Sequence, residues 1–262
     1  MSRETGVKYI IPKIWPIQIE PPYPKYEYFR RTPRAGIGEE ACVCIDLSIL
    51  AYESADFISD VLLHKRPLGI ELIRIVDIGA FQAIVADWNG RRIVAFRGTC
   101  NIRGWVTDCD CAMTKEGIHK GFDYAINVMA KELQPLVSGK DMLGTGHSLG
   151  GAMGTLAPRT LISKEAKTIS FGAPRSADRE AAIKIVLKNN TRPPERYVHG
   201  CDIVPDVPLN AMDYAHGDAP INLKQVPRPL CDFFVPMEFY SHVPTLYAER
   251  IWQINEECGV KP

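Results

Sequence analysis

Ser148 sits at the centre of Gly146-His147-Ser148-Leu149-Gly150-Gly151, a hexapeptide that contains the pattern G-x-S-x-G. That pattern is the signature of a nucleophile elbow, a sharp strand-to-helix turn that presents a serine hydroxyl at its apex. A side chain at 146 or 150 would crowd a turn in which the serine backbone is itself strained. A serine placed this way attacks a carbonyl carbon. The hydroxyl is a weak nucleophile near neutral pH, so it needs a general base within hydrogen-bond reach and a third group that fixes the base's tautomer. The oxyanion that forms must meet preorganised donors, one of which is expected to be the backbone N–H of Leu149, directly after the nucleophile. The five-residue pattern alone is common, and the weight rests on the longer string and on the partners downstream.

In sheets that carry such an elbow the partners follow in the chain order serine, acid, histidine. Of the six histidines, His64, His119, His147, His199, His216 and His242, only His216 and His242 lie well beyond the elbow and beyond a candidate acid. The acid belongs in a loop at the carboxyl end of a strand. Asp202 fits, because the strand-like run before it ends near His199 and the Pro205/Pro208 pair forces a loop just after. Asp206 is the alternative. Asp178 falls at the start of a helix, where an N-terminal dipole partner is expected instead. On residue order alone, both His216 and His242 stand as candidate bases.

These groups need a frame. Leu72–Ile78 and Phe81–Trp88 read as strands, and Asn89-Gly90 before Arg92–Phe96 is a strong hairpin signal. Phe122–Leu136 reads as a helix, Met142–Thr145 as the strand into the elbow, and Leu149–Ala157 as a helix stopped or kinked near Pro158. Lys167–Phe171 and Arg196–His199 are strand-like, with a helix over Ala177–Leu187 between them. Upstream, the apolar spacing from Gly38 to Leu63 suits one or two helices that bury Ile45, Leu47, Ile49 and Leu50. Strands alternating with helices predict an α/β fold with a mainly parallel central sheet and helices on both faces. Two regions follow. Residues 1–37 are rich in Pro and Tyr and form an extended arm packed on the domain, and residues 38–262 form a single α/β domain.

The bulk numbers narrow the class. The 262 residues suffice for one large domain, and Lys+Arg equals Asp+Glu at 31 each, so no net field draws nucleic acid or anionic lipid. The first residues lead into no apolar signal segment, and the uncharged stretch Met142–Pro158 contains the elbow and is not a membrane span, which predicts a cytoplasmic location. The eight cysteines are then read as mostly free thiols. Cys42-Val43-Cys44 and Cys109-Asp110-Cys111 match no zinc spacing, so no metal is expected.

Taken together, the ordered motifs resemble the class 3 lipase family of the α/β-hydrolase superfamily, which includes fungal triacylglycerol lipases. Phe96-Arg97-Gly98-Thr99 is similar to that family's oxyanion segment, and Trp105 and Asp108 to the W-x-x-D after it. His119-Lys120-Gly121-Phe122, Thr145–Gly151, Phe171-Gly172-Ala173-Pro174-Arg175 and Asp202-Ile203-Val204-Pro205 resemble further family motifs in the family's order. The resemblance spans roughly residues 70–250. It implies an α/β-hydrolase fold, and a second oxyanion donor at Thr99. Of the two histidine segments that follow the acid in fungal members only the later is catalytic. Asp213–His216 looks like the earlier and Tyr240-Ser241-His242 like the later, so the resemblance assigns His242 as base, although the interval after Asp202 is shorter than in fungal relatives.

The resemblance further implies a serine ester hydrolase acting on lipid esters, acylglycerol or phospholipid, through Ser148, His242, Asp202 and an acyl-enzyme, with no metal or organic cofactor. The rivals are an esterase for soluble short-chain or aromatic esters and a non-catalytic lipase-like binding or signalling protein. Cys100–Met113 stands where the family carries a lid; within it Trp105, and later Phe234 and Phe239 in the apolar loop before His242, are candidate substrate contacts. Arg97 is expected to pair with Asp108, and His147 and His119 are read as supporting residues. The expected partners are a lipid or other ester substrate and transient contact with a membrane or lipid interface, with no nucleic acid.

Overall fold

Asn89 and Gly90, both at positive φ (47° and 76°), close the hairpin between β2 (Phe81–Trp88) and β3 (Arg91–Phe96). This turn matches the right-handed twist of the strands it joins. The computed structural model describes residues 28–29, 32–33, 35, 38–64, 67–99, 111–227 and 236–257. Apart from the few described positions 28, 29, 32, 33 and 35, the N-terminal arm expected over 1–37 lies outside these residues.

Among the described residues the main sheet has seven strands. β1 (Glu71–Ile78) pairs antiparallel with β2, and β2 with β3. From β3 the sheet runs parallel through β4 (Asp141–His147), β5 (Glu165–Phe171), β7 (Glu195–His199) and β9 (Ile221–Leu223). A two-stranded ribbon joins β6 (Ala177–Asp178) to β8 (Tyr214–Ala215). The parallel register matters most for function. Phe96 faces Gly146, His147 faces Phe171, Phe171 faces Tyr197 and His199 faces Leu223. The loops after β3, β4, β5 and β7 therefore emerge side by side at one carboxyl edge, where open parallel sheets form their sites.

Helices cover both faces. On one side, α1 (Glu39–Leu50) packs with Tyr247, Ala248, Ile251 and Trp252 of α7 (Pro244–Glu257) over Ile84, Ile93, Leu143 and Ile169. On the other, α3 (Lys120–Val137) and α4 (Leu149–Thr160) cover Val85, Val94 and Met142. Successive residues such as Ile93 and Val94 serve opposite faces because strand side chains alternate. Ala41 through Leu50 of α1 are all buried, Asp46 among them. Its carboxylate accepts from the Phe29 N–H (2.7 Å) and the Trp252 indole (3.1 Å), which offsets the cost of burying it.

Two local expectations need correction. α4 does not stop near Pro158 but continues to Thr160 with the proline inside it, since a proline this late in a helix removes only one ladder bond. Ala177–Leu187 is not one helix. Ala177 and Asp178 pair with β8, α5 (Arg179–Lys184) starts behind an Asp178 side-chain cap to the Ala181 N–H (2.8 Å), and a wider turn covers Ile185–Asn189. The one or two helices expected from Gly38 to Leu63 are two, α1 and α2 (Ala55–Ser59), the second passing into a wider turn at Asp60–His64. The helix α7 was not among the elements read from the sequence.

Candidate active site

β4 ends at His147 and α4 begins at Leu149, so Ser148 carries the whole reversal, with φ 59° and ψ −130°. A non-glycine residue rarely adopts this conformation, at a cost of about 1–3 kcal/mol. The neighbouring packing enforces it. A Cβ on Gly146 would lie 2.2 Å from the Gly150 carbonyl carbon, and one on Gly150 would lie 2.1 Å from the Phe96 oxygen. The elbow is also tied to the next strand through Ser148 N–H to Phe171 O at 2.9 Å.

Asp202 sits in the loop after β7 and is 3% exposed. Its Oδ2 meets His242 Nδ1 at 2.8 Å and accepts the Tyr247 hydroxyl at 2.6 Å, while Oδ1 accepts from the Val204 N–H at 2.9 Å. Facing a carboxylate, Nδ1 of His242 carries the proton, which leaves Nε2 free to accept one. That nitrogen and Ser148 Oγ are both buried and neither makes a hydrogen bond. Buried polar atoms are nearly always paired, and exceptions call for an explanation such as a reacting role. A Cβ on Gly172 would lie 2.8 Å from Asp202 Oδ2, 2.9 Å from the Tyr247 hydroxyl and 3.1 Å from His242 Nδ1. The position after β5 is therefore kept bare by the three groups that converge on it.

The alternatives are occupied elsewhere. His216 Nε2 donates to the Pro205 carbonyl at 2.8 Å, and burial, reinforced by Arg196, pushes its pKa down to about 3. Asp206 is mostly exposed and pairs with Arg175 at 3.0 Å. His119 caps α3, accepting from the Gly121 N–H at 3.1 Å, and packs against Phe122. Arg97 donates to Ala80 O at 2.9 Å and faces Gln82 Oε1 at 3.4 Å; its expected partner Asp108 lies outside the described residues.

Thr99 and Leu149, the expected oxyanion donors, are both half-buried at the same sheet edge, after β3 and at the first position of α4. The first N–H groups of a helix have no partner within it, so Leu149 N–H suits an anion. Phe239 lies in α6 (Met237–Tyr240), and its carbonyl accepts the His242 N–H at 3.1 Å. Trp105, Phe234 and residues 100–110 of the expected lid lie outside the described residues.

His147 is fully enclosed. Its Nδ1 lies 2.9 Å from the Tyr52 hydroxyl and its Nε2 2.8 Å from the His242 carbonyl oxygen. Burial, and next His242, push its pKa well below the ordinary histidine range. Tyr52, His199 and Tyr247 were not read from the sequence as parts of the site. Gly172 was visible only as a letter of a motif, without its steric reason. Among the described residues no cluster of His, Cys, Asp or Glu is arranged to hold a metal ion.

Comparison with known proteins bears on the same region. Residues 93–212, which include the elbow and Asp202, match the family described as Lipase (class 3). Over this stretch, somewhat less than half of its length, the chain is similar to the class 3 lipase family. Its relatives include the secreted mono- and diacylglycerol lipase A of Penicillium cyclopium, 31% identical over 158 residues that cover 54% of this chain and 50% of that one. The secreted mono- and diacylglycerol lipase 1 of Fusarium solani is 32% identical, covering 53% and 45%. The chain thus spans about half the length of the curated relatives it matches. The solved mono- and diacylglycerol lipase of Aspergillus oryzae superposes with a TM-score of 0.58 at 24% identity, over 74% of this chain and 82% of that one. A lipase of Rhizopus microsporus gives 0.57 at 22%, over 76% and 77%. These likenesses show the α/β-hydrolase fold.

The curated relatives also correct one expectation. The cytoplasmic location does not stand, because the Penicillium and Fusarium relatives are secreted lipases by name. The amino-terminal residues on which it rested carry no weight against that. Among the described residues no helix is long and apolar enough to cross a membrane.

Proposed function

We propose that this chain is a member of the class 3 lipase family and a serine ester hydrolase acting on lipid esters, acylglycerol or phospholipid, with Ser148 as nucleophile, His242 as general base and Asp202 as its orienting acid. One observation carries the reading: Ser148 Oγ and His242 Nε2 are buried and unpaired, while the other side of the His242 ring is bonded to a buried carboxylate at 2.8 Å. In this reading His242 takes the proton of Ser148 as the hydroxyl attacks the ester carbonyl. The backbone N–H groups of Leu149 and Thr99 hold the oxyanion. His242 then protonates the departing alcohol, leaving an acyl group on Ser148, and activates the water that releases the acid.

The lipid ester is favoured over a soluble one by the relatives, which are mono- and diacylglycerol lipases by name. Trp105, Phe234 and Phe239 are proposed to contact the acyl chain. No step of this mechanism calls on a metal or organic cofactor.

The test is hydrolysis of a p-nitrophenyl ester series together with labelling by a fluorophosphonate. Ser148→Ala is expected to lower turnover by several orders of magnitude and to abolish labelling, with the fold retained. Substantial turnover in that variant sinks the assignment of the nucleophile. A wild-type chain that neither labels nor turns over is a binding or signalling protein instead. A rate that collapses beyond short acyl chains replaces the lipid ester with a soluble one.

A further inference from the structure

The residue read as the base is held by its main chain as well as by its side chain. His242 O faces Nε2 of His147 at 2.8 Å, and the preceding carbonyl, Ser241 O, faces Nδ1 of His199 at 2.9 Å. A carbonyl only accepts, so each of those ring nitrogens must carry a proton. The other nitrogen of His199 accepts the Val226 N–H at 3.0 Å, which requires the neutral ring in its Nδ1–H form. The other nitrogen of His147 lies against the Tyr52 hydroxyl at 2.9 Å, with the proton on Nε2. Two buried histidines thus use opposite ring nitrogens on consecutive carbonyls.

They reach those carbonyls from well-anchored positions. His147 closes β4 and His199 closes β7, so the contacts tie two parallel strands to one loop. The ring of His147 also lies 4.5 Å from that of His242, centroid to centroid, at an interplanar angle of 36°. A proton gained by His147 would place a second positive charge beside the imidazolium that forms during acyl transfer. Burial depresses the pKa of both supporting histidines, which keeps them uncharged.

We propose that His147 and His199 are positioning residues that clamp the carbonyls of His242 and Ser241 and so aim the His242 ring between Asp202 and Ser148. This rests on the hydrolase reading above. The clamp works through a single N–H at each position. A glutamine places its amide nitrogen where a histidine has Nε2, and an asparagine places it where a histidine has Nδ1. The two positions therefore require opposite amides.

The experiment compares His147→Gln with His147→Asn, and His199→Asn with His199→Gln, measuring kcat and KM on p-nitrophenyl butyrate and fluorophosphonate labelling of Ser148. A misaimed ring lowers the chemical step without touching substrate binding. H147N and H199Q are expected to lose kcat by roughly 10- to 100-fold with KM little changed, while H147Q and H199N run about tenfold or more above them. Equal kcat for the two amides at both positions, or a loss confined to KM, overturns the clamp while wild-type labelling leaves the hydrolase reading intact. A wild-type chain that does not label overturns the hydrolase reading and the clamp with it. For variants that do not fold, long-range ¹H–¹⁵N spectra of the wild-type imidazoles serve instead. Nε2–H at His147 and Nδ1–H at His199 are expected near neutral pH, and any other tautomer at either ring sinks the proposal.

Discussion

Tyr247 places its hydroxyl 2.6 Å from the same Asp202 oxygen that lies 2.8 Å from His242 Nδ1. Burial raises the Tyr247 pKa well above the ordinary tyrosine value, and the carboxylate beside it adds to the shift, so the group stays a donor. Hydrogen bonds to charged groups are worth about 1.5–3 kcal/mol. Tyr247→Phe is expected to lower kcat by about tenfold through a less firmly held Asp202, with KM little altered. Steady-state kinetics check this, and an unchanged kcat shows that Val204 N–H and His242 suffice to hold the acid.

Gly172 occupies the space where Asp202, Tyr247 and His242 converge, at φ 56°. Gly172→Ala adds a methyl group into contacts of 2.8–3.1 Å and imposes a left-handed backbone on an alanine. The expected result is a loss of stability of about 1–3 kcal/mol and a large loss of activity. Urea unfolding and ester turnover read the two effects separately. Full activity in this variant would show that the loop after β5 yields without disturbing the acid and base.

The strain at Ser148 predicts an opposition between stability and chemistry. Glycine tolerates the Ser148 backbone angles and alanine does not. Ser148→Gly is therefore expected to be more stable than Ser148→Ala by about 1 kcal/mol, both being inactive. Thermal unfolding of the pair checks it. An alanine variant as stable as the glycine one argues that the elbow relaxes when the hydroxyl is gone.

His147, His199 and His216 all have pKa values lowered by burial, that of His216 to about 3. In the unfolded chain each titrates near the ordinary histidine value, so the unfolded state takes up protons first as pH falls. Their contribution to stability is therefore complete above about pH 6.5 and is lost below it, for His216 down to about pH 3. While only the unfolded state is protonated, each such group gives a slope of up to about 1.4 kcal/mol per pH unit. His216→Gln should flatten the acid limb of a stability-against-pH curve without moving the neutral plateau by the same amount. A curve of unchanged slope would mean that His216 takes up its proton in the folded state as readily as in the unfolded one.

Much of the frame was legible because it is written in local signals. Asn89-Gly90 announces a hairpin by its tolerance of positive φ, and the strands on either side appear within a residue of where their apolar runs predict. The ends of α5 and α4 were misread because local pattern competed with partners elsewhere. Ala177 and Asp178 became strand through pairing with Tyr214 and Ala215, and Pro158 was absorbed into the helix. Of the proposed site, the flanking glycines single out Ser148 and the loop after a strand singles out Asp202 as candidates. The proposed choice of His242 over His216 rests on resemblance and is supported by their partners, Pro205 O for His216 and Asp202 for His242.

From residue types alone came the chemistry available: a serine on a tight turn, acids and histidines beyond it, and strands and helices enough to carry them. Which of those groups meet was decided by the parallel register, which aligns the ends of β3, β4, β5 and β7 and leaves Asp202 and His242 in contact across 40 residues of chain. The same holds for Tyr52, His199 and Tyr247. Nothing in a tyrosine or a histidine marks it as a support, because a hydrogen bond belongs to the partner that faces the group. That partner exists only after the sheet has set the distance.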